Sequence, residues 1–334
     1  MSFETYLKEN SERIDAAIAS YFELSDVADV NRYLYEPLAA YSANGGKRHR
    51  PLICELACAA VGSDPSRARN SAAAIEHFHT AALIHDDIAD ESKMRRGVPC
   101  MHLTQGEGLA INAGDLALSS VTGTVLADAT LDDKTKLRVL EELVHMTTRT
   151  IEGQALDIGW ARDGRFDLNI EDYLAMATRK TAYYSGGTPL AVGAICGGGT
   201  EEQVEALRGF GMACGLAFQI QDDILNLVGA QESTRKDFRS DITEGKRTLI
   251  AVHAITHSLQ GDELATILAS HTTAPTMLSI AVDIMQEAGS IDFARDYAIG
   301  LVNRAKSKLT EMLEPSQPRD LLLSMADFFI SRMS

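Results

Sequence analysis

The chain has 334 residues, 45% of them hydrophobic, and a formal net charge of -16. That is enough apolar material for one large domain or two ordinary ones, and it excludes a disordered or low-complexity chain. The acidic balance argues against nucleic acid as a partner, and an anionic small molecule would need a basic pocket or metal ions that invert the local field.

The N-terminal stretch MSFETYLKENSERID has no basic start followed by an apolar block, so no signal peptide is expected. Apolar residues then recur at three- and four-residue spacing over 3–22, 51–61, 67–90, 108–128, 134–160, 170–185, 201–228 and 275–312, which predicts a helix over each. Start signals agree: Asp64 before Pro65, Asn169 ahead of Asp172, and Thr200 with Gln203 in a capping-box pattern. Alternating strand patterns are scarce and hairpin turns are lacking. The apolar runs fall short of a membrane span, so no transmembrane segment is expected. Without a Pro/Ser linker or a shift in composition, the chain reads as a single all-α domain over 1–334. The five cysteines, Cys54, Cys58, Cys100, Cys196 and Cys214, are odd in number and form no CxxC pair. They argue against a disulfide framework or a structural zinc site and fit core thiols in a reducing, cytoplasmic compartment.

Charge is concentrated in a few places. In LIHDDIADESKMRRG, Leu83 to Gly97, a long apolar helix ends in Asp86, Asp87, Asp90 and Glu91, followed by Arg95 and Arg96. Asp86 and Asp90 share one helix face, with Asp87 beside it. Two like charges at that spacing destabilise a helix unless something positive bridges them, and hard oxygen ligands on an open face suit magnesium. Taken alone, the cluster could equally be a solvated acidic helix end. A second pair, Asp222 and Asp223 in GLAFQIQDDILNLVG, ends another apolar helix, with Asn226 one turn beyond. Two such helices facing each other across a cavity could hold divalent ions between them. In NGGKRHRP, Lys47 and Arg50 follow two glycines that permit close backbone approach to an anion. The spacing is not that of a P-loop. Lys180 and Thr181 interrupt a further helix, and Lys236, Asp241 and Lys246 lie in a polar loop. His77, His79 and His85 lack a familiar third zinc ligand, so packing or phosphate contact suits them better. Gln154 and Asp157 suggest a polar contact between helices.

Together these residues resemble the trans-isoprenyl diphosphate synthases, in the expected order from about Gly45 to Lys246. The DDxxD motif of that family is similar to Asp86, Asp87 and Asp90 with the RRG at Arg95 to Gly97. GGKxxRP is similar to Gly45 to Pro51, the Lys-Thr pair to Lys180 and Thr181, and FQxxDD to Phe218 to Asp223. The resemblance implies an all-α bundle around a deep cavity, usually a homodimer, that joins isopentenyl diphosphate to an allylic diphosphate. It implies three magnesium ions: Asp86 and Asp90, within the acidic set that includes Asp87, would hold two, and Asp222 the third. Lys180, Arg95 and Lys246 would contact the allylic diphosphate, with Thr181, Gln219 and Lys236 nearby. Lys47, Arg50, His79 and Arg96 would hold isopentenyl diphosphate. The chain departs from the family at Asn226, where many members have Asp, and at Arg235, where many have Gly.

In the family, bulky residues four or five positions before the first Asp stop elongation early. Here those positions are Ala82 and Ala81. Phe78 lies eight residues before Asp86, ~12 Å at the helical rise, and would be the tunnel floor. That favours a product longer than farnesyl, with geranylgeranyl diphosphate expected; a neighbouring helix could set the floor instead. A class I terpene cyclase would share DDxxD and the fold, but its second metal motif is absent here and it needs no second diphosphate site. A non-catalytic subunit of a heteromeric synthase would be expected to have lost metal ligands that this chain keeps.

Overall fold

A computed structural model describes residues 1–19, 21, 24–228 and 239–331. Helices dominate, and the strands among the described residues are a two-residue antiparallel pair, Met94–Arg95 with Val98–Pro99. The first aspartate helix, Arg69–Ala89, is buried on nearly every face. Such a helix belongs at the centre of a large domain. It packs on Glu107–Leu126, where Ala110, Ala113, Gly114 and Ala117 allow close approach. That neighbour spans 20 residues and is, by length and composition only, long and apolar enough to cross a membrane.

The second aspartate helix, Glu201–Val228, packs on Ser290–Met312 and on the stretch that carries Lys180. That stretch is a wide-turn π-helix, Thr178–Gly187, set between Ile170–Ala177 and Thr188–Cys196. Such π segments are frequent at functional sites. Two close approaches hold it in place. A Cβ on Gly153, in Asp133–Arg162, would collide with the Lys180 backbone, and a Cβ on Gly211 would collide with the Gly186 carbonyl.

One apolar cluster draws buried residues from Phe3 to Phe329. Phe329 lies on Gln317–Ser331, a helix missing from the sequence reading, and its ring meets Phe218 at 5.0 Å and His49 at 5.5 Å. The C-terminal helix thus backs the basic GGKxxRP segment at His49. Leu249–His257 and Gly261–Ala269 were also not anticipated, and the predicted helix over 275–312 is two helices, Pro275–Glu287 and Ser290–Met312. Gly289 breaks it at φ 68°, a left-handed conformation that glycine adopts without steric penalty.

Candidate active site

A cavity of about 1230 Å³ opens between the two aspartate helices, the π segment and Asp133–Arg162. Lys47, Arg50, Arg95, Arg96, Asp86, Lys180, Asp222, Asp241 and Lys246 line its polar part, and Phe78, Ala81, Ala82 and Leu118 lie further down.

Five functional side chains come from the end of the first aspartate helix and the loop after it: Asp86, Asp87, Asp90, Arg95 and Arg96. Asp86 points into the cavity and accepts a hydrogen bond from Gln154 Nε2 at 3.1 Å. Asp87 does not share that role. It is 1% exposed, accepts from Arg95 Nε at 2.7 Å and from the Tyr41 hydroxyl at 3.0 Å, and is absent from the cavity lining. The cause is helix rotation: one residue past Asp86 turns the carboxylate about 100° towards the neighbouring helix. The structure thus turns Asp87, expected among the metal ligands, away from the cavity and onto Arg95, whose Nη2 lies 3.7 Å from Asp86. Asp90 faces a narrow adjoining crevice with Arg95, Ser240 and Glu244. Burial and the Asp86 charge push its pKa up to about 6, partly offset by Lys246 at 3.7 Å.

Across the cavity the second helix presents Asp222 and buries Asp223. Asp223 accepts from Gln219 Nε2 at 2.7 Å and the Tyr173 hydroxyl at 2.9 Å, and Thr181 donates to Gln219 Oε1 at 2.7 Å. Thr181 and Gln219 are thereby drawn into one chain that ends on Asp223. Burial, then the Asp241 charge, pushes the Asp223 pKa up to about 8, against those two hydrogen bonds. Lys180 Nζ pairs with Asp157. Burial works against its charge, but Asp157 and Asp86 overcome that and raise its pKa. Lys246 Nζ lies 3.7 Å from Asp90 and 3.7 Å from Asp241 and pairs with Glu244. Lys236 and Arg235 lie outside the described residues.

A separate cationic pocket forms where the GGKxxRP segment meets the first aspartate helix. Arg48, 3% exposed and left-handed at φ 49°, bonds Asp15 and Glu76 at 2.6 Å each. This clamp sets its neighbours: Lys47 is exposed and Arg50 turns inward. Arg50 donates to Ser185 Oγ at 2.8 Å and lies 4.5 Å from the Tyr184 ring centre, a cation–π contact. His79 stacks on the same ring at 5.8 Å. Burial, then Arg50 and Arg96, holds the His79 pKa well below its usual value, so the ring is neutral at pH 7. Arg96 packs over Gly46 and donates to the Gly45 carbonyl. Arg50 Nε and His79 Nδ1 are buried without a hydrogen-bond partner among the described residues. Buried polar atoms without partners are costly, and here they line a cavity that can supply one. Sequence reasoning gave no role to Tyr184, Tyr173, Arg48 or Glu76, and no spacing marks them.

Among the described residues no three carboxylate, imidazole or thiol groups converge closely enough to hold a metal by themselves. The two acidic corners are hard-oxygen donors in which burial, and then the neighbouring carboxylates, already raise the pKa values of Asp90 and Asp223. That donor set fits divalent ions that take their remaining ligands from water and substrate phosphate. The site can therefore receive two anions side by side, one through metal ions and one directly on cations.

Residues 31–285 match the model of the polyprenyl synthetase family. A short chain isoprenyl diphosphate synthase of Methanothermobacter thermautotrophicus is 39% identical over 288 residues, covering 86% of this chain and 87% of that protein. A geranylfarnesyl diphosphate synthase of Natronomonas pharaonis is 34% identical, covering 97% of this chain and 99% of that protein. The crystal structure of geranylgeranyl pyrophosphate synthetase from Pyrococcus horikoshii superposes with a TM-score of 0.90 at 33% identity, over 99% of this chain and 98% of that one. With the fold, the paired aspartate helices and these matches in agreement, the chain belongs to the polyprenyl synthetase family and is a trans-prenyltransferase.

Proposed function

We propose that this enzyme condenses isopentenyl diphosphate with an allylic diphosphate to give linear all-trans geranylgeranyl diphosphate. The observation that carries the reading is the joining of two unlike anion sites in one cavity: opposed acidic corners, and a cationic pocket with buried, unpartnered Arg50 Nε and His79 Nδ1. The allylic diphosphate belongs at the acidic end. There Asp86, Asp90 and Asp222 would hold three magnesium ions, which when bound supply Lewis-acid stabilisation of the charge developing on the leaving group. Arg95, Lys180 and Lys246 donate to the same diphosphate, with Thr181 and Gln219 fixing the wall behind it. Lys47, Arg50, His79 and Arg96 hold isopentenyl diphosphate.

In the reaction the allylic C–O bond breaks and its electron pair leaves with pyrophosphate. The homoallylic double bond attacks the allylic cation and forms the new C–C bond. The adjacent proton passes to pyrophosphate, so no strongly basic side chain is required. Apolar walls exclude water that would quench the cation. Phe78 is buried, meets Tyr184 edge-on at 5.8 Å and lines the cavity below Ala81 and Ala82. This supports Phe78 as the floor that sets product length.

The enzyme works as one domain and as a homodimer in the cytoplasm. A stripe on Asp133–Arg162 supports the dimer: Leu137, Val144, Ile151 and Ile158 recur every seven residues and are 59%, 63%, 59% and 44% exposed. An apolar heptad stripe left uncovered on a helix is the pattern that a second helix buries. The five cysteines are buried and form no disulfide, which fits a reducing compartment. Steady-state kinetics on Arg50→Met test the substrate assignment. The KM for isopentenyl diphosphate should rise by about tenfold or more while the allylic KM holds, because a charge-assisted bond to one anion is lost. Equal rises in both would contradict the two-site reading. A cyclase has no use for the second anion pocket, and no feature of the site favours it.

A further inference from the structure

Asn226 occupies the position where many family members carry a third aspartate, and the structure gives its amide a definite task. The Asp241 backbone N–H donates to Asn226 Oδ1 at 3.2 Å, and Asn226 Nδ2 donates to Ser240 Oγ at 3.1 Å. A backbone N–H can only donate, so the amide orientation is fixed: oxygen to Asp241, nitrogen to Ser240. One side chain thus ties the end of the second aspartate helix to residues fourteen and fifteen positions later. A second tie runs from Arg239 Nε to the Leu227 carbonyl at 3.4 Å.

What is tied down is a closed unit. The Glu244 N–H donates to the Ser240 carbonyl at 2.7 Å and the Lys246 N–H to the Asp241 carbonyl at 2.8 Å. Holding Ser240 and Asp241 therefore also holds Lys246. Both Asp241 and Lys246 line the cavity beside Asp222.

We propose that Asn226 is a positioning residue. Its amide pins the Ser240–Lys246 turn so that the Asp241 carboxylate, in place of a third aspartate on the helix, completes the acidic corner with Asp222 and sets Lys246 beside the allylic diphosphate. This rests on the diphosphate assignment made above. It also explains why an uncharged residue is at home here: an amide offers both an acceptor and a donor, and the turn needs both.

The test combines three variants with readouts of three kinds. Asn226→Ala removes both bonds. Amide exchange at Asp241 should speed up, the KM for geranyl diphosphate should rise by about tenfold while that for isopentenyl diphosphate stays within about twofold, and calorimetric binding of pyrophosphate with magnesium should weaken by a similar factor. Asn226→Asp keeps the acceptor and lets the Ser240 hydroxyl turn and donate, so exchange and KM should stay within about threefold of the parent. Asp241→Asn should weaken magnesium–pyrophosphate binding while leaving melting temperature and Asn226 contacts intact. Unchanged Asp241 exchange in Asn226→Ala would overturn the pin whatever the activity. Binding of magnesium and pyrophosphate more than threefold tighter in Asn226→Asp than in the parent would show a vacant ligand position instead, and overturn it too. If the parent enzyme shows no prenyl transfer, the functional assignment fails, while the exchange data still decide the pin.

Discussion

Arg48 offers the sharpest link between a buried interaction and substrate binding. Its side chain and that of Glu76 are each 2% exposed, whereas the partner Asp15 is 48% exposed. Arg48→Met leaves the Glu76 carboxylate buried without its cation, and Glu76 Oε2 has no hydrogen-bond partner among the described residues to share the load. Removing one member of a buried pair costs about 3–5 kcal/mol, and the exposed Asp15 contact adds little. For 334 residues the unfolding entropy is about 0.7 kcal/mol/K, so the expected fall in melting temperature is about 4–7 °C. Arg48→Met with Glu76→Gln removes the stranded charge and should recover at least half of that fall. Thermal melts followed at 222 nm read both. Because Arg48 starts the helix that carries Arg50, the single variant should also raise the KM for isopentenyl diphosphate. A single variant that melts within about 1 °C of the parent, or a double variant no better than the single, would refute the reasoning.

Three further outcomes are expected. Phe78→Ala should shift the products to longer chains, read by sizing the dephosphorylated alcohols; unchanged length would move the floor to another helix. The Asp223 pKa of about 8 lies above the ordinary 3.8, so its stabilising contribution is full below that lower value and lost as pH rises to about 8. Asp223 should therefore cost the metal-free protein up to about 1.4 kcal/mol per pH unit from pH 6.5 to 8 and nothing further beyond, a contribution that Asp223→Asn should remove. Val144→Glu places a charge in the exposed apolar stripe and should give a monomer by sedimentation; a persistent dimer would put the seam elsewhere.

The long helices were legible because one apolar face or a wholly apolar core repeats for many turns, as in Arg69–Ala89 and Glu201–Val228. Leu249–His257 and Gly261–Ala269 span nine residues each, too few turns for a period to declare itself. The π segment at Thr178–Gly187 was visible only as an interruption by Lys180 and Thr181, since its register depends on Gly153 and Gly211 of neighbouring helices. Motif spacing brought Asp86, Asp222, Arg50 and Lys246 to one cavity. It could not tell Asp87 from Asp86, because the distinction lies in Tyr41, which reaches Asp87 from 46 positions away in the chain, and in how the following loop folds Arg95 back onto it. The task of Asn226 was hidden for the same reason.

The central claim is head-to-tail elongation, and the most direct measurement is a product assay. Purified protein is given isopentenyl diphosphate, magnesium and dimethylallyl, geranyl or farnesyl diphosphate, and the alcohols released by phosphatase are sized. The account expects a linear all-trans twenty-carbon alcohol from each primer. A cyclic hydrocarbon, or no turnover by the purified chain alone, would contradict it.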